Sequence, residues 1–224
     1  TIKMDFDVDL PEGVDMAGMF PESTSMNKEL LFNADKSVYI DAKGNESTDQ
    51  EYTNDDGTFQ IVIKMNEDEE IYYSDYSSKE QIHQTGFMGK SFIISDELKK
   101  PKWKMTGEKI KYMGYECLKA EMIVPAEEED EEDKLVVAWF TPAIKAQVGP
   151  RSYHSLPGAI LMLSIDGDKH EIKATEVNFD IDPSDKIVKP KKGKKVTQDE
   201  YIKIVEEKTK EMMELNGGAF QIQH

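Results

Sequence analysis

From its first residues the chain alternates: Ile2, Met4, Phe6, Val8 and Leu10 are interleaved with Lys3, Asp5, Asp7 and Asp9. A period of two sends successive side chains to opposite faces of a strand, so the pattern demands a sheet with one buried and one wet face. The same signal recurs along the chain. Residues 30–32 and 38–40 read as short strands around Asn33, Ala34 and Asp35, and the turn formers Asn54, Asp55, Asp56 and Gly57 precede Phe59, Ile61, Ile63 and Met65. Further strands are expected over 70–74, 81–85, 91–95, 103–106, 115–124, 134–141, 160–165 and 170–179. Strands at such even spacing predict a mainly β fold: a meander that curls into a strongly curved antiparallel sheet or a partly open β-barrel.

One helix closes the sequence. Thr197 and Glu200 form a capping box and Val196 and Tyr201 a hydrophobic staple, which predicts a C-terminal α-helix over 198–215 stopped by Asn216 and Gly217. Tyr201, Ile204, Val205, Met212 and Leu215 recur at helical spacing, and this stripe is expected to pack on the sheet. The whole of 1–224 reads as one domain: a β meander over about 1–180, a basic linker over 182–196 with six lysines between 186 and 195, then the helix. The acidic run 127–133 reads as a solvated hairpin loop.

Composition narrows the function by exclusion. A formal net charge of −17 repels nucleic-acid phosphates, so no nucleic-acid partner is expected. Cys117 is the single cysteine, which rules out an intramolecular disulfide and a thiolate zinc cage. No apolar run reaches about 18 residues, so no transmembrane segment is expected. The chain opens at Thr1 inside a strand pattern without a start methionine, as expected of an exported protein whose signal peptide has been removed.

Apparent catalytic motifs fail on their mechanics. Gly89-Lys90-Ser91 ends like a phosphate loop, but Gln84 stands where that loop needs glycine and a strand follows where it needs a helix. His170-Glu171 opens like a zincin, but Ala174 stands in place of the second histidine. With four histidines and no nucleophile elbow, no enzyme activity and no cofactor are expected. Met16, Met19 and Met26 gather in a polar segment, where soft thioethers suit either Cu(I) ligation or the filling of gaps beneath a loop.

The stretches Ala138-Trp139-Phe140-Thr141-Pro142, Gly149-Pro150 and Ser155-Leu156-Pro157-Gly158-Ala159-Ile160 resemble the GLPGLI family, an envelope-associated group from Bacteroides-type bacteria. Lys111 to Ala120 and Lys189 to Thr197 agree with its pattern, whereas Ser155 and Ala159 stand where the family name carries Gly and Leu. The resemblance implies an exported, periplasmic or envelope-associated protein with no assigned reaction, and a fold similar to periplasmic lipoprotein carriers. Arg151, the only arginine, adjoins this motif. Its planar fork suits a carboxylate held bidentately, either an internal one or a ligand's. The candidate ligand-binding residues are therefore Arg151, Tyr153, Leu156, Pro157 and Gly158, and the candidate metal residues Met16, Met19 and Met26. The expected function is non-catalytic binding or carriage, with a hydrophobic ligand or an unknown envelope protein as partner. Copper handling and protein–protein interaction are the alternatives.

Overall fold

The computed structural model describes residues 2–4, 24–42, 50–53, 60–63, 70–126, 132–167 and 170–217. Along the chain these form β1 (Ile2–Met4), β2 (Thr24–Met26), β3 (Lys28–Phe32), β4 (Lys36–Asp41), β5 (Gln50–Thr53), β6 (Gln60–Ile63), β7 (Ile71–Asp75) and β8 (Glu80–Phe87). There follow β9 (Lys90–Glu97), β10 (Lys104–Tyr112), β11 (Tyr115–Val124), β12 (Lys134–Thr141), β13 (Ala159–Ile165), β14 (His170–Lys173), β15 (Lys194–Val196) and α1 (Gln198–Gly217). The fold is mainly β with one C-terminal helix, as the alternation predicts.

Two open sheets carry the architecture. One has seven strands in the order β10-β11-β12-β13-β14-β1-β2, the other six in the order β15-β9-β8-β7-β4-β3, and β5 and β6 form a separate hairpin. Neighbours in sequence are mostly neighbours in space, which is the meander. Met113-Gly114 supplies the two positive-φ positions that a tight hairpin between β10 and β11 requires. The edge strands β2 and β3 are separated by Asn27 alone, so a single residue carries the chain from the edge of one sheet to the edge of the other.

The inner faces meet in one core. Tyr39 of the six-stranded sheet joins Ala120, Val136, Ala138, Phe140, Leu163, Ile165 and Ile172 of the seven-stranded sheet, with Leu156 and Ile160. The outer face of the six-stranded sheet packs Val38, Tyr73, Ile82 and Ile93 beneath Ile187. At the β9–β15 edge of this sheet, on the face that carries Tyr39, Phe92, Ile94 and Val196 receive Tyr201 and Ile204 of α1, so the start of the helical stripe does pack on the sheet. Thr197 and Glu200 close the capping box reciprocally, at 2.8 Å and 3.1 Å.

Two expectations are corrected. The strand expected over 170–179 ends at Lys173, because the chain turns away after Ala174, whose carbonyl accepts the Tyr112 hydroxyl at 2.7 Å. Val177 then packs on the outer face of the seven-stranded sheet, while Phe179 is exposed. The basic linker is not wholly a linker: its last residues form β15, parallel to β9. Gly193 makes this approach possible, since a Cβ there would lie 2.8 Å from the backbone of Ser91 and Phe92. Lys189 secures the run against the acidic body through Glu80, at 2.7 Å.

Candidate functional site

Strand register builds the site from residues far apart in sequence. Leu30 lies opposite Tyr39, Tyr39 opposite Tyr72, and Tyr72 opposite His83, forming one row across β3, β4, β7 and β8. Directly paired residues share a face, so all four side chains lie on the same side of the sheet. Tyr39 packs into the core between the sheets, with Leu30 and Tyr72 half-buried against it. Tyr72 stacks on His83 with ring centroids 4.1 Å apart and planes 10° apart, and lies 6.4 Å from Tyr39.

Charges lie beside this row. Lys28, opposite Asp41 in the register, pairs with its carboxylate at 2.6 Å and approaches Glu70 at 3.8 Å. Glu70 accepts the Tyr72 hydroxyl at 2.9 Å and faces His83 Nε2 at 3.4 Å. Burial pushes the Glu70 carboxyl upward, but His83, Arg151 and the Tyr72 hydroxyl outweigh it and hold the group down at about 2. Tyr39 and Tyr72 are pushed the other way, chiefly by burial, so both phenols stay protonated.

The second wall is the loop between β12 and β13, residues 142–158. Leu156, buried to 2% exposure, and half-buried Tyr153 pack in the same cluster as Tyr39 and Tyr72. Arg151 lies within electrostatic reach of Tyr39, Glu70, Tyr72 and Tyr153. Trp103, on the connection from β9 to β10, stands 6.2 Å from Tyr153 and donates its indole N–H to the His154 carbonyl at 2.9 Å. The backbone here is strained: Arg151 has φ +54° and Ser155 φ +69°, values that side chains with a Cβ seldom adopt.

Buried polar atoms gather in this place without partners. Among the described residues Tyr39 Oη and Arg151 Nε are buried and have no hydrogen-bond partner, whereas His83 Nε2 and Asp41 Oδ1, also buried, have only their charge contacts with Glu70 and Lys28. Native structures leave few such atoms unsatisfied, and here they converge from both walls.

The remaining sequence candidates divide. Pro157 is exposed and Gly158 buried; a Cβ on Gly158 would lie 2.1 Å from the Thr141 carbonyl oxygen, so its role is to let two backbone segments touch. Met16 and Met19 lie outside the described residues, and Met26 packs against the core between the sheets. Among the described residues no group of three or more His, Cys, Asp or Glu side chains could hold a metal ion. The same holds for membrane-spanning helices: none of those described is long and apolar enough.

The Ser155 hydroxyl lies 2.5 Å from His154 Nδ1. Burial lowers the His154 pKa, and among the described residues no carboxylate orients this imidazole. The Cys117 thiol is buried and, for that reason, raised in pKa, the opposite of an activated nucleophile.

The stretch that carries Arg151 also carries a family match. Residues 125–162 match Porph_ging, described as a protein of unknown function. The Porph_ging match thus spans β12, the loop and most of β13, the wall from which Arg151 projects. No curated protein matches the chain. Two solved structures of PNGF-II are similar in fold. One, in space group C2, has a TM-score of 0.54 at 17% identity and covers 82% of this chain and 30% of that one. The other, in space group P21, has a TM-score of 0.53 at 18% identity and covers 82% and 31%. This chain therefore spans less than a third of the PNGF-II chains it matches.

Sequence reasoning reached Arg151 and Tyr153 because they adjoin a motif. Tyr39, Glu70, Tyr72 and His83 escaped it. Their alternation marks them as strand residues, but only the register brings them under Arg151.

Proposed function

We propose that this chain is a non-catalytic binding protein of the GLPGLI type, exported to the periplasm or cell envelope, which takes its ligand at Arg151 between the two sheets. The observation that carries this reading is that two buried donors from opposite walls, Arg151 Nε–H and the Tyr39 hydroxyl, have no partner among the described residues. Backbone strain supports it, since left-handed conformations at residues other than glycine concentrate where function holds them. Ser155 stands where the GLPGLI name has glycine and adopts φ +69°, a conformation glycine takes without strain. A binding role also agrees with the chemistry of the nucleophiles, because burial raises the Cys117 pKa and, among the described residues, no carboxylate orients the imidazole beside Ser155.

The test is a thermal-shift screen of small molecules against the protein and its Arg151→Gly variant. Glycine relieves the positive φ, which offsets the loss of the Arg151 charge beside Glu70, so the unliganded variant is expected to remain folded at the screening temperature. Compounds that stabilise the parent protein should not stabilise the variant. A screen in which every stabilising compound acts equally on both proteins eliminates Arg151 as the binding residue. Export is checked separately by fractionation of the native cells, and recovery of the protein from the cytoplasm alone would refute it.

A further inference from the structure

We propose that the group received by Arg151 and Tyr39 is a carboxylate, borne by a small organic acid whose apolar body lies against Trp103 and Tyr153. The inference rests on the binding site proposed above and names its ligand class. Arg151 Nε–H and the Tyr39 hydroxyl are both donors, and both are buried without an acceptor among the described residues. Tyr39 is itself only 4% exposed, so bulk water does not satisfy it. Burial keeps its phenol protonated, which preserves the donor across the physiological range.

The two described carboxylates beside this row are engaged elsewhere. Asp41 is held by Lys28, and Glu70 is divided among the Tyr72 hydroxyl, His83 and Lys28. Among the described residues neither closes an ion pair with Arg151, although Glu70 attracts it at longer range. Lys28 and Arg151 together balance Asp41 and Glu70, so the cluster tolerates one further negative charge better than two. A planar monoanion matches the guanidinium edge bidentately, whereas phosphate brings extra charge next to Glu70 and a tetrahedral shape. Beyond the polar atoms the surroundings become apolar: Met26, Trp103, Leu118, Met122 and Tyr153 are half-buried against the same core. Such surroundings suit a hydrocarbon or aromatic body attached to the acid.

The experiment is calorimetric titration with 3-phenylpropionate, its uncharged amide and inorganic phosphate. The acid should bind at least ten-fold more tightly than the amide or phosphate. Arg151→Gln should weaken acid binding ten-fold or more, and Tyr39→Phe several-fold, each variant being folded at the temperature of the titration. Should Arg151→Gln fail to fold, Arg151→Lys serves instead, keeping the charge but losing the fork, with a smaller loss expected. Equal affinity for acid and amide, abolished by either variant, overturns the carboxylate and leaves the binding site standing. Phosphate binding as tightly as the acid makes the site a general anion site and overturns the inference. Acid binding untouched by both variants removes the inference and the binding site together. Absence of binding by the acid overturns the inference.

Discussion

Replacing Tyr39 by phenylalanine deletes one buried oxygen that has no protein partner. Leaving a polar group buried and unsatisfied is worth about 1–3 kcal/mol against folding, so Tyr39→Phe should hold or raise stability by about 1 kcal/mol, read by urea unfolding. A fall of that size instead places a structural water on the hydroxyl. Glu70 gives a second test through pH. Its folded value of about 2 lies below the ordinary 4.5, so its stabilisation is complete above pH 4.5 and is lost as the pH falls toward 2. His154, lowered from 6.5, contributes a separate loss that starts as the pH drops below 6.5. Melting curves of Glu70→Gln should therefore lose the lower part of the acid slope and keep the upper part. An unchanged slope would show that Glu70 is not held down by its neighbours. Within the motif, Gly158→Ala forces a Cβ to 2.1 Å from the Thr141 oxygen and should cost about 3 kcal/mol or more, while exposed Pro157→Ala should cost less than about 1. Comparable losses at the two positions would contradict this division. The glycine's importance was legible in the sequence, but its cause was not: the motif suggests freedom of angle, and the fold imposes contact with a strand end at Thr141.

Among the elements, α1 was the most readable because its start is encoded locally. Thr197→Ala removes the hydroxyl that accepts the Glu200 N–H and should cost about 1 kcal/mol in denaturant unfolding. Glu200→Ala should cost less than this again once Thr197 is already changed, since the two bonds form one box. Strands β3, β4 and β6 to β13 were legible for the same reason, each carrying its own pattern between turn residues, whereas β5 over Gln50–Thr53 was not expected. Nor was β15. Lys194 and Lys195 carry no apolar alternation, and the strand exists because Gly193 permits contact with β9 and Val196 anchors it. The 170–179 segment misled in the opposite sense. Beyond Ala174, where β13 no longer offers a partner strand, Val177 serves packing and Phe179 is exposed. The same limit concealed the binding row, because register is a property of pairs of strands and no single segment states it.

At the scale of the whole molecule, the fold class followed from patterning, whereas the division into two sheets did not. Nothing in the alternation distinguishes one curved sheet from two joined at Asn27, because the corner needs a change of direction and no change of composition. The parallel seating of β15 bears on time as well as shape. Its register joins Lys194 to Phe92, about one hundred residues earlier, and pairings of such separation form late in folding. A chain emerging from its N-terminus can zip β3 to β9 and β10 to β14 as hairpins, yet the outer edge of β9 stays bare until residue 196 has followed. During that interval the nascent protein exposes an unpaired strand edge, and its own C-terminal segment is the guard that arrives last.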